Sequence, residues 1–179
     1  MHGLVSLLPE PSYRQVQDIW ETLAKEHGLR GIRVTPYPHF SWQIAKEYDF
    51  DRLEDIIAEI GLKTPPIIVH TAGLGLFSGN CPVIYVSVVK DPNLMRLHAD
   101  IWGAVQPAAQ DLSPYYAPSA WMPHISLAYE DVTPTNIGPV VQRLAYQSLA
   151  WEMRVDNIAL IYEPEGQIGA LKFQIQLTG

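Results

Sequence analysis

At 179 residues the chain can form one sizeable domain or two small lobes sharing a core. Hydrophobic residues make up 47% and charged residues 17%, which is a globular composition and excludes a disordered chain. The net charge of −7 argues against tracking along extended nucleic acid, while a local cationic patch for a small phosphorylated ligand stays open.

Leu4 to Leu8 reads as a buried strand ended by Pro9 and Pro11. Ser12 offers an N-cap with Gln15 three residues on, as in a capping box. Val16, Ile19, Trp20 and Leu23 then fall on one helical face, and Gly28 suits the stop. In "PHFSWQIA" the alternation sets His39, Ser41 and Gln43 on one side of a strand and Phe40, Trp42 and Ile44 on the other. Leu53, Ile56, Ile57 and Ile60 mark a second helix, with Gly61 as its stop, and "PPIIVHTAGLGLF" is strand-like up to a turn at "SGN".

The order then repeats. Val83 to Val89 is a strand, Asp91-Pro92 is an N-cap and first helical position, and Leu94, Leu97, Ile101 and Val105 support a helix. The stretch "QPAAQDLSPYYAPSAW" reads as long and irregular. It leads to "PHISLAY", where His124, Ser126 and Ala128 face one side and Ile125, Leu127 and Tyr129 the other. A helix starts near Thr133 to Asn136. "WEMRVDNIALIYE" is a strand whose alternation slips at Asp156-Asn157, which suggests a bulge or bend. "PEG" turns the chain into the closing strand "LKFQIQL". The expectation is one bilobal α+β domain over residues 1–179, with internally duplicated β-α-β(His)-α-β halves. The two lobes would be related by a pseudo-two-fold, with antiparallel sheets, outer helices and a central cleft.

Pro-His-apolar-Ser therefore occurs twice, at equivalent places in the two halves. Residues i and i+2 of a strand share a face, so His39 projects with Ser41 and His124 with Ser126. The preceding proline belongs at a strand start or edge, which places each histidine near a strand end where a cleft can open. Two imidazoles titrating near neutrality can serve as general base and general acid, and two neutral hydroxyls can donate to phosphate oxygens. That set fits phosphodiester cleavage by water, or its reversal, without a metal. No third histidine-type ligand stands near either motif with metal-ligand spacing.

On "PHFSW", "PHISLAY" and "GLGLFSGNCPVIYVSVV" running into a helix, the chain resembles the two-histidine phosphoesterase superfamily, which includes RNA 2′,3′-cyclic phosphodiesterases and proteins named 2′-5′ RNA ligases. The resemblance covers nearly the whole chain. It implies a bilobal α+β fold with antiparallel sheets and a central cleft. It also implies opening of a ribose cyclic phosphate or transfer at a 2′-5′ linkage, with His39 and His124 catalytic and Ser41 and Ser126 binding phosphate. Several relatives carry a basic residue just after the second motif, where Tyr129 stands here.

Tyr37, Tyr115, Trp121 and Tyr129 are candidate substrate contacts; Tyr116 lies on the same loop, and pinning that loop is the competing role for Trp121. Arg30, Arg33 and Lys90 are weaker candidates for phosphate, since isolated basic residues are mostly solvated surface. His98 suits a surface or capping role, His70 a strand end, and His2 is uninformative. The expected partner is a nucleotide or RNA end taken up by a monomer, with no cofactor, no metal and no membrane. Cys81 is the only cysteine, so no internal disulfide forms; with no basic flank on "GLVSLL", no signal peptide is expected, and a cytoplasmic location follows. Two other readings stay open: a nucleotide or RNA-end binding module that uses the cleft without chemistry, and a structural role with incidental histidines.

Overall fold

A computed structural model describes residues 1–165 and 167–179. It contains strands β1 (His2–Leu7), β2 (His39–Tyr48), β3 (Ile67–Phe77), β4 (Val83–Val88), β5 (Ala109–Leu112), β6 (His124–Ala128), β7 (Glu152–Val155), β8 (Asn157–Tyr162) and β9 (Ala170–Gln176). The helices are α1 (Ser12–His27), α2 (Phe50–Lys63), α3 (Pro92–Val105) and α4 (Ile137–Ala145). All strand pairs are antiparallel and form two sheets, ordered β5-β2-β1-β8-β9 and β6-β4-β3-β7. This is the expected α+β class with paired antiparallel sheets.

Local chemistry explains most boundaries. Gly28 closes α1 in the left-handed conformation at φ 73°, where a side chain would be strained. Asp91 caps α3 by accepting from the N–H groups of Asn93 and Leu94, and Pro92 follows it. Two expected caps are corrected. Ser12 is itself helical and buried, so Pro11 is the N-cap and no side chain caps α1. Gly61 lies inside α2, which runs on to Lys63; a Cβ there would stand 2.7 Å from the Gln176 carbonyl oxygen, so glycine is needed for the close approach of β9.

The stretch taken as irregular contains β5 and two short 3-10 turns, with β5 adding an edge strand to β2. At Asp156-Asn157 the chain does more than bend: β7 pairs with β3 in one sheet, and β8 pairs with β1 in the other. Asn157 makes the switch. Its Oδ1 accepts from Leu7 N at 2.9 Å, and its Nδ2 donates to the Leu7 carbonyl at 3.0 Å. Of the expected "PEG" turn, Gly166 lies outside the described residues.

One continuous core joins both sheets. Leu4, Phe40, Trp42, Ile158 and Leu160 come from the first, and Val69, Ile84, Val86, Ile125 and Leu127 from the second. The helices are distributed crosswise: α1 packs on β6, whereas α3 packs on β2. The faces away from this core carry the motif side chains.

Candidate active site

Each histidine opens its strand, and the two are held alike. His39 Nδ1 lies 2.6 Å from the Tyr37 carbonyl oxygen, and His124 Nδ1 lies 2.7 Å from the Met122 carbonyl oxygen. The acceptor is in both cases the residue before the motif proline. A carbonyl can only accept, so Nδ1–H donates in each ring, and Nε2 is left as the nitrogen able to exchange a proton. Among the described residues neither Nε2 has a protein hydrogen-bond partner. Burial lowers the pKa of both imidazoles below 6.5. For His39 the Tyr37 carbonyl pulls the other way, and the charge of His124 lowers it further. The two rings are therefore close enough for one charge to act on the other.

The hydroxyl face is shorter than the alternation predicts. Ser41 pairs with Val5 and Gln43 with Leu4, so Trp42 is an extra residue in β2. Ser126 pairs with Tyr85 and Ala128 with Ile84, so Leu127 is an extra residue in β6. Each bulge reverses the phase immediately after the serine. Gln43 and Ala128, expected beside the serines, are turned into the core and fully buried. Gln43 instead accepts from the Tyr48 hydroxyl at 3.1 Å. Each strand thus offers one imidazole and one hydroxyl to the cleft.

The walls differ. Beside His39, Val5, Ala159 and Ile161 form an apolar patch packed by Leu7, Tyr37 and Leu171. Beside His124, Phe77 meets the imidazole edge to face at 4.8 Å, and Tyr85 lies 5.2 Å from it. Phe77 and Tyr85 are themselves 4.2 Å apart. A Cβ on Gly75 would run into the Tyr85 ring, so the glycine makes room for it. Sequence reasoning passed over Phe77 and Tyr85; the alternating glycines of "GLGLF" were the available signal, because glycine inside a strand marks close approach.

The other candidates separate. Trp121, taken as a substrate contact, is corrected: it is fully buried, its ring stacked 3.8 Å from His98 and 5.6 Å from Trp42, so no base can reach its face. Tyr115 is 79% exposed, whereas its neighbour Tyr116 is half-buried and packs against the core. Burial raises Tyr116 to about 12, so it stays protonated. Tyr37 contributes its carbonyl to His39 and its ring to the apolar patch. Tyr129 follows the second bulge, and its phenol is close enough to Tyr116 to act on it electrostatically.

Lys90 is engaged by the Trp121 carbonyl at 3.0 Å. Arg30 and Arg33 line a separate cavity of about 1030 Å³ with Lys46, Glu47, Glu130 and Glu163, and neither motif histidine lines it. His98 is also corrected: it is fully buried, with Nε2–H donating to the Trp42 carbonyl at 3.1 Å. Among the described residues no group of three or more His, Cys, Asp and Glu side chains is placed to hold a metal, and no helix is long and apolar enough to cross a membrane.

Comparison with known proteins gives a consistent picture. The model of the 2′-5′ RNA ligase superfamily matches residues 8–167. A protein of Bacillus mycoides (strain KBAB4) named "Putative phosphoesterase" is 26% identical over 149 residues, covering 79% of this chain and 81% of its own. Among solved structures, TT0787 of Thermus thermophilus superposes with a TM-score of 0.70 at 16% identity, covering 99% of this chain and 98% of its own. LigT of E. coli, crystallised with 3′-AMP, superposes with a TM-score of 0.59 at 12% identity, covering 99% and 97%. These two likenesses are of fold.

Proposed function

The chain belongs to the 2′-5′ RNA ligase superfamily, and from that premise we propose that it is a phosphoesterase that opens 2′,3′-cyclic or related ribose phosphates, or 2′-5′ linkages, on RNA ends or small nucleotides. The observation that carries this reading is the matched clamping of the two imidazoles. Each Nδ1 is committed to a carbonyl two residues back, and each Nε2 is left for proton transfer.

In the hydrolytic direction the neutral imidazole takes a proton from water at Nε2 as the water oxygen bonds to phosphorus. The bond from phosphorus to the ribose 2′ or 3′ oxygen breaks, and the protonated imidazole gives its Nε2 proton to that oxygen. The product is a phosphomonoester with a free vicinal hydroxyl; solvent exchange restores the two protonation states. No metal takes part in these steps. Ser41 and Ser126 donate to the non-bridging oxygens as their charge changes. Placed acid and base catalysis contributes roughly 10²–10⁴-fold. The added depression of His39 by the charge of His124 favours His39 as the neutral base and His124 as the acid. The 3′-AMP held by LigT is a ribose phosphate of the same chemical class.

A second reading, a nucleotide or RNA-end binding module without turnover, is favoured by where the candidate phosphate cations stand among the described residues. Tyr129 stands after the second motif, Lys90 is tied to Trp121, and Arg30 and Arg33 face another cavity. One experiment separates the two: turnover of 2′,3′-cyclic nucleotides and 2′-5′ dinucleotides in the presence of chelator, with 3′-AMP calorimetry alongside. Catalysis predicts product from the wild type and a loss of roughly 10²-fold or more in His39→Ala and His124→Ala. Full turnover in either folded variant removes the mechanism, and binding without turnover supports the module.

A further inference from the structure

Each motif serine turns its side chain to the cleft and its carbonyl to an indole. Trp121 Nε1–H donates to the Ser41 carbonyl at 3.0 Å, and Trp20 Nε1–H donates to the Ser126 carbonyl at 3.1 Å. The donors are exchanged between the halves. Trp20 lies on α1, between β1 and β2 in sequence, yet it reaches β6; Trp121 stands just before β6, yet it reaches β2. Both indoles are at most 7% exposed.

The accepting carbonyls share one position in the backbone. Each belongs to the residue directly before the extra residue of its bulge. A bulge interrupts the strand ladder, and a buried carbonyl left without a donor is costly, so a side-chain N–H is the natural substitute. Trp121 is backed on one face by His98, whose ring is within 5° of parallel, and His98 in turn donates to the Trp42 carbonyl. Two consecutive carbonyls of the first motif strand are therefore held by ring N–H groups from the second half of the chain.

We propose that Trp20 and Trp121 are positioning residues whose reciprocal bonds across the two halves set the spacing of the motif strands, and with it the span between the two histidines. This rests on the phosphoesterase reading given above. An indole bonded to the opposite strand fixes that strand's height above the shared core, and two such bonds in opposite senses resist both sliding and spreading of the cleft. Phosphoryl transfer between two imidazoles needs that span held closely, since a misplacement of about 1 Å can cost on the order of 10²-fold in rate.

The test replaces indole N–H while keeping an aromatic ring: Trp20→Phe and Trp121→Phe, with Trp151→Phe as the control. The Trp151 indole N–H donates to the Ser148 carbonyl three residues away, at 3.1 Å, and reaches neither motif strand. Two readouts are taken on the folded proteins. Turnover of a 2′,3′-cyclic nucleotide should show kcat reduced by about 10–10²-fold with KM little changed in the two test variants, and both parameters unchanged in the control.

Histidine-ring NMR titration should show that His124→Gln raises the His39 pKa in the wild-type background and raises it less when Trp20 or Trp121 is phenylalanine. Wild-type kcat and undiminished histidine coupling in Trp20→Phe overturn the proposal, as does an equal loss in Trp151→Phe. If Trp121→Phe does not fold, Trp20→Phe decides. If the wild type turns over no phosphodiester, the functional reading fails, while the titration still decides whether the indoles hold the histidines together.

Discussion

Acidification should destabilise this protein in part through one residue outside the cleft. His98 is fully buried on α3, stacked on Trp121, and its pKa is lowered to about 4. Burial is the main cause; the Trp42 and Tyr116 carbonyls pull it back up, and the Lys90 charge lowers it. In the unfolded chain the same imidazole titrates near 6.5. Between those values the unfolded state binds more protons than the folded one. Stability is therefore full above pH 6.5 and falls as pH drops toward 4. A gap of about 2.5 units at 1.36 kcal/mol each, less the half-protonation at the lower limit, gives a loss of about 3 kcal/mol by pH 4. Urea unfolding at pH 7 and pH 4 measures this, and with a slope of about 2 kcal/mol/M the midpoint should move by about 1.5 M on account of His98. His98→Phe keeps the stack and removes the titration. At pH 7 it should cost about 1–3 kcal/mol, because the Trp42 carbonyl loses its donor. Between pH 7 and pH 4 it should lose about 3 kcal/mol less than the wild type. His2, His39 and His124, whose pKa values are also lowered, are common to both proteins and cancel in the difference. Parallel losses in the two proteins would refute the argument.

Three further outcomes follow from the cleft. With His39 neutral and His124 protonated in the active form, kcat/KM should rise with pH through the His39 pKa and fall through that of His124; both lie below 6.5, so a maximum on the alkaline side of neutrality would contradict the assignment. Phe77→Ala should raise KM for cyclic nucleotides by roughly 5–100-fold if the ring stacks a base, and leave KM for ribose 2′,3′-cyclic phosphate, which has no base, unaffected; an equal rise for both substrates sinks the stacking role. Gly75→Ala should drive Tyr85 from its seat beside His124 and lower stability by about 1–3 kcal/mol, which a thermal melt can detect; an unchanged melting temperature would show that the Tyr85 ring is free to move.

The elements that carry a local chemical signature were readable from the sequence. Asp91-Pro92, Gly28 and the paired Pro-His-apolar-Ser segments each fix a backbone state or a side-chain direction within a few residues. Periodicity found both motif strands and placed His39 with Ser41 and His124 with Ser126. It failed one residue later, at Gln43 and Ala128, because a bulge is a property of two strands: Trp42 is extra only relative to Leu4 and Val5. The same reason hid the change of sheet at Asp156-Asn157, which shows in the sequence only as a slipped phase. Sequence leaves Trp121 between a substrate contact and a loop pin because an aromatic on a loop gives no sign of what covers it; here His98 and Trp42 do, which leaves only the packing role. The equivalence of Tyr37 and Met122 as clamps is invisible to side-chain reasoning, since each acts through its carbonyl.

The duplication read from the order of elements acquires a physical rationale from the crossing of parts between the halves. We propose that residues 1–179 form one bilobal domain of two such related halves. In sheet order β2-β1-β8 corresponds to β6-β4-β3: each motif strand lies beside its own half's first strand, which then pairs with the other half's third. The first helix of each half packs on the other half's motif strand, α1 on β6 and α3 on β2. A half on its own would leave a first strand with an open edge and a motif strand without its covering helix, and the apolar surface that now fills a shared core would face water. Each half can therefore be completed only by the other. That mutual completion brings the two histidine strands to one cleft, so a substitution that loosens the exchange of strands or helices should reduce activity even where it touches neither motif.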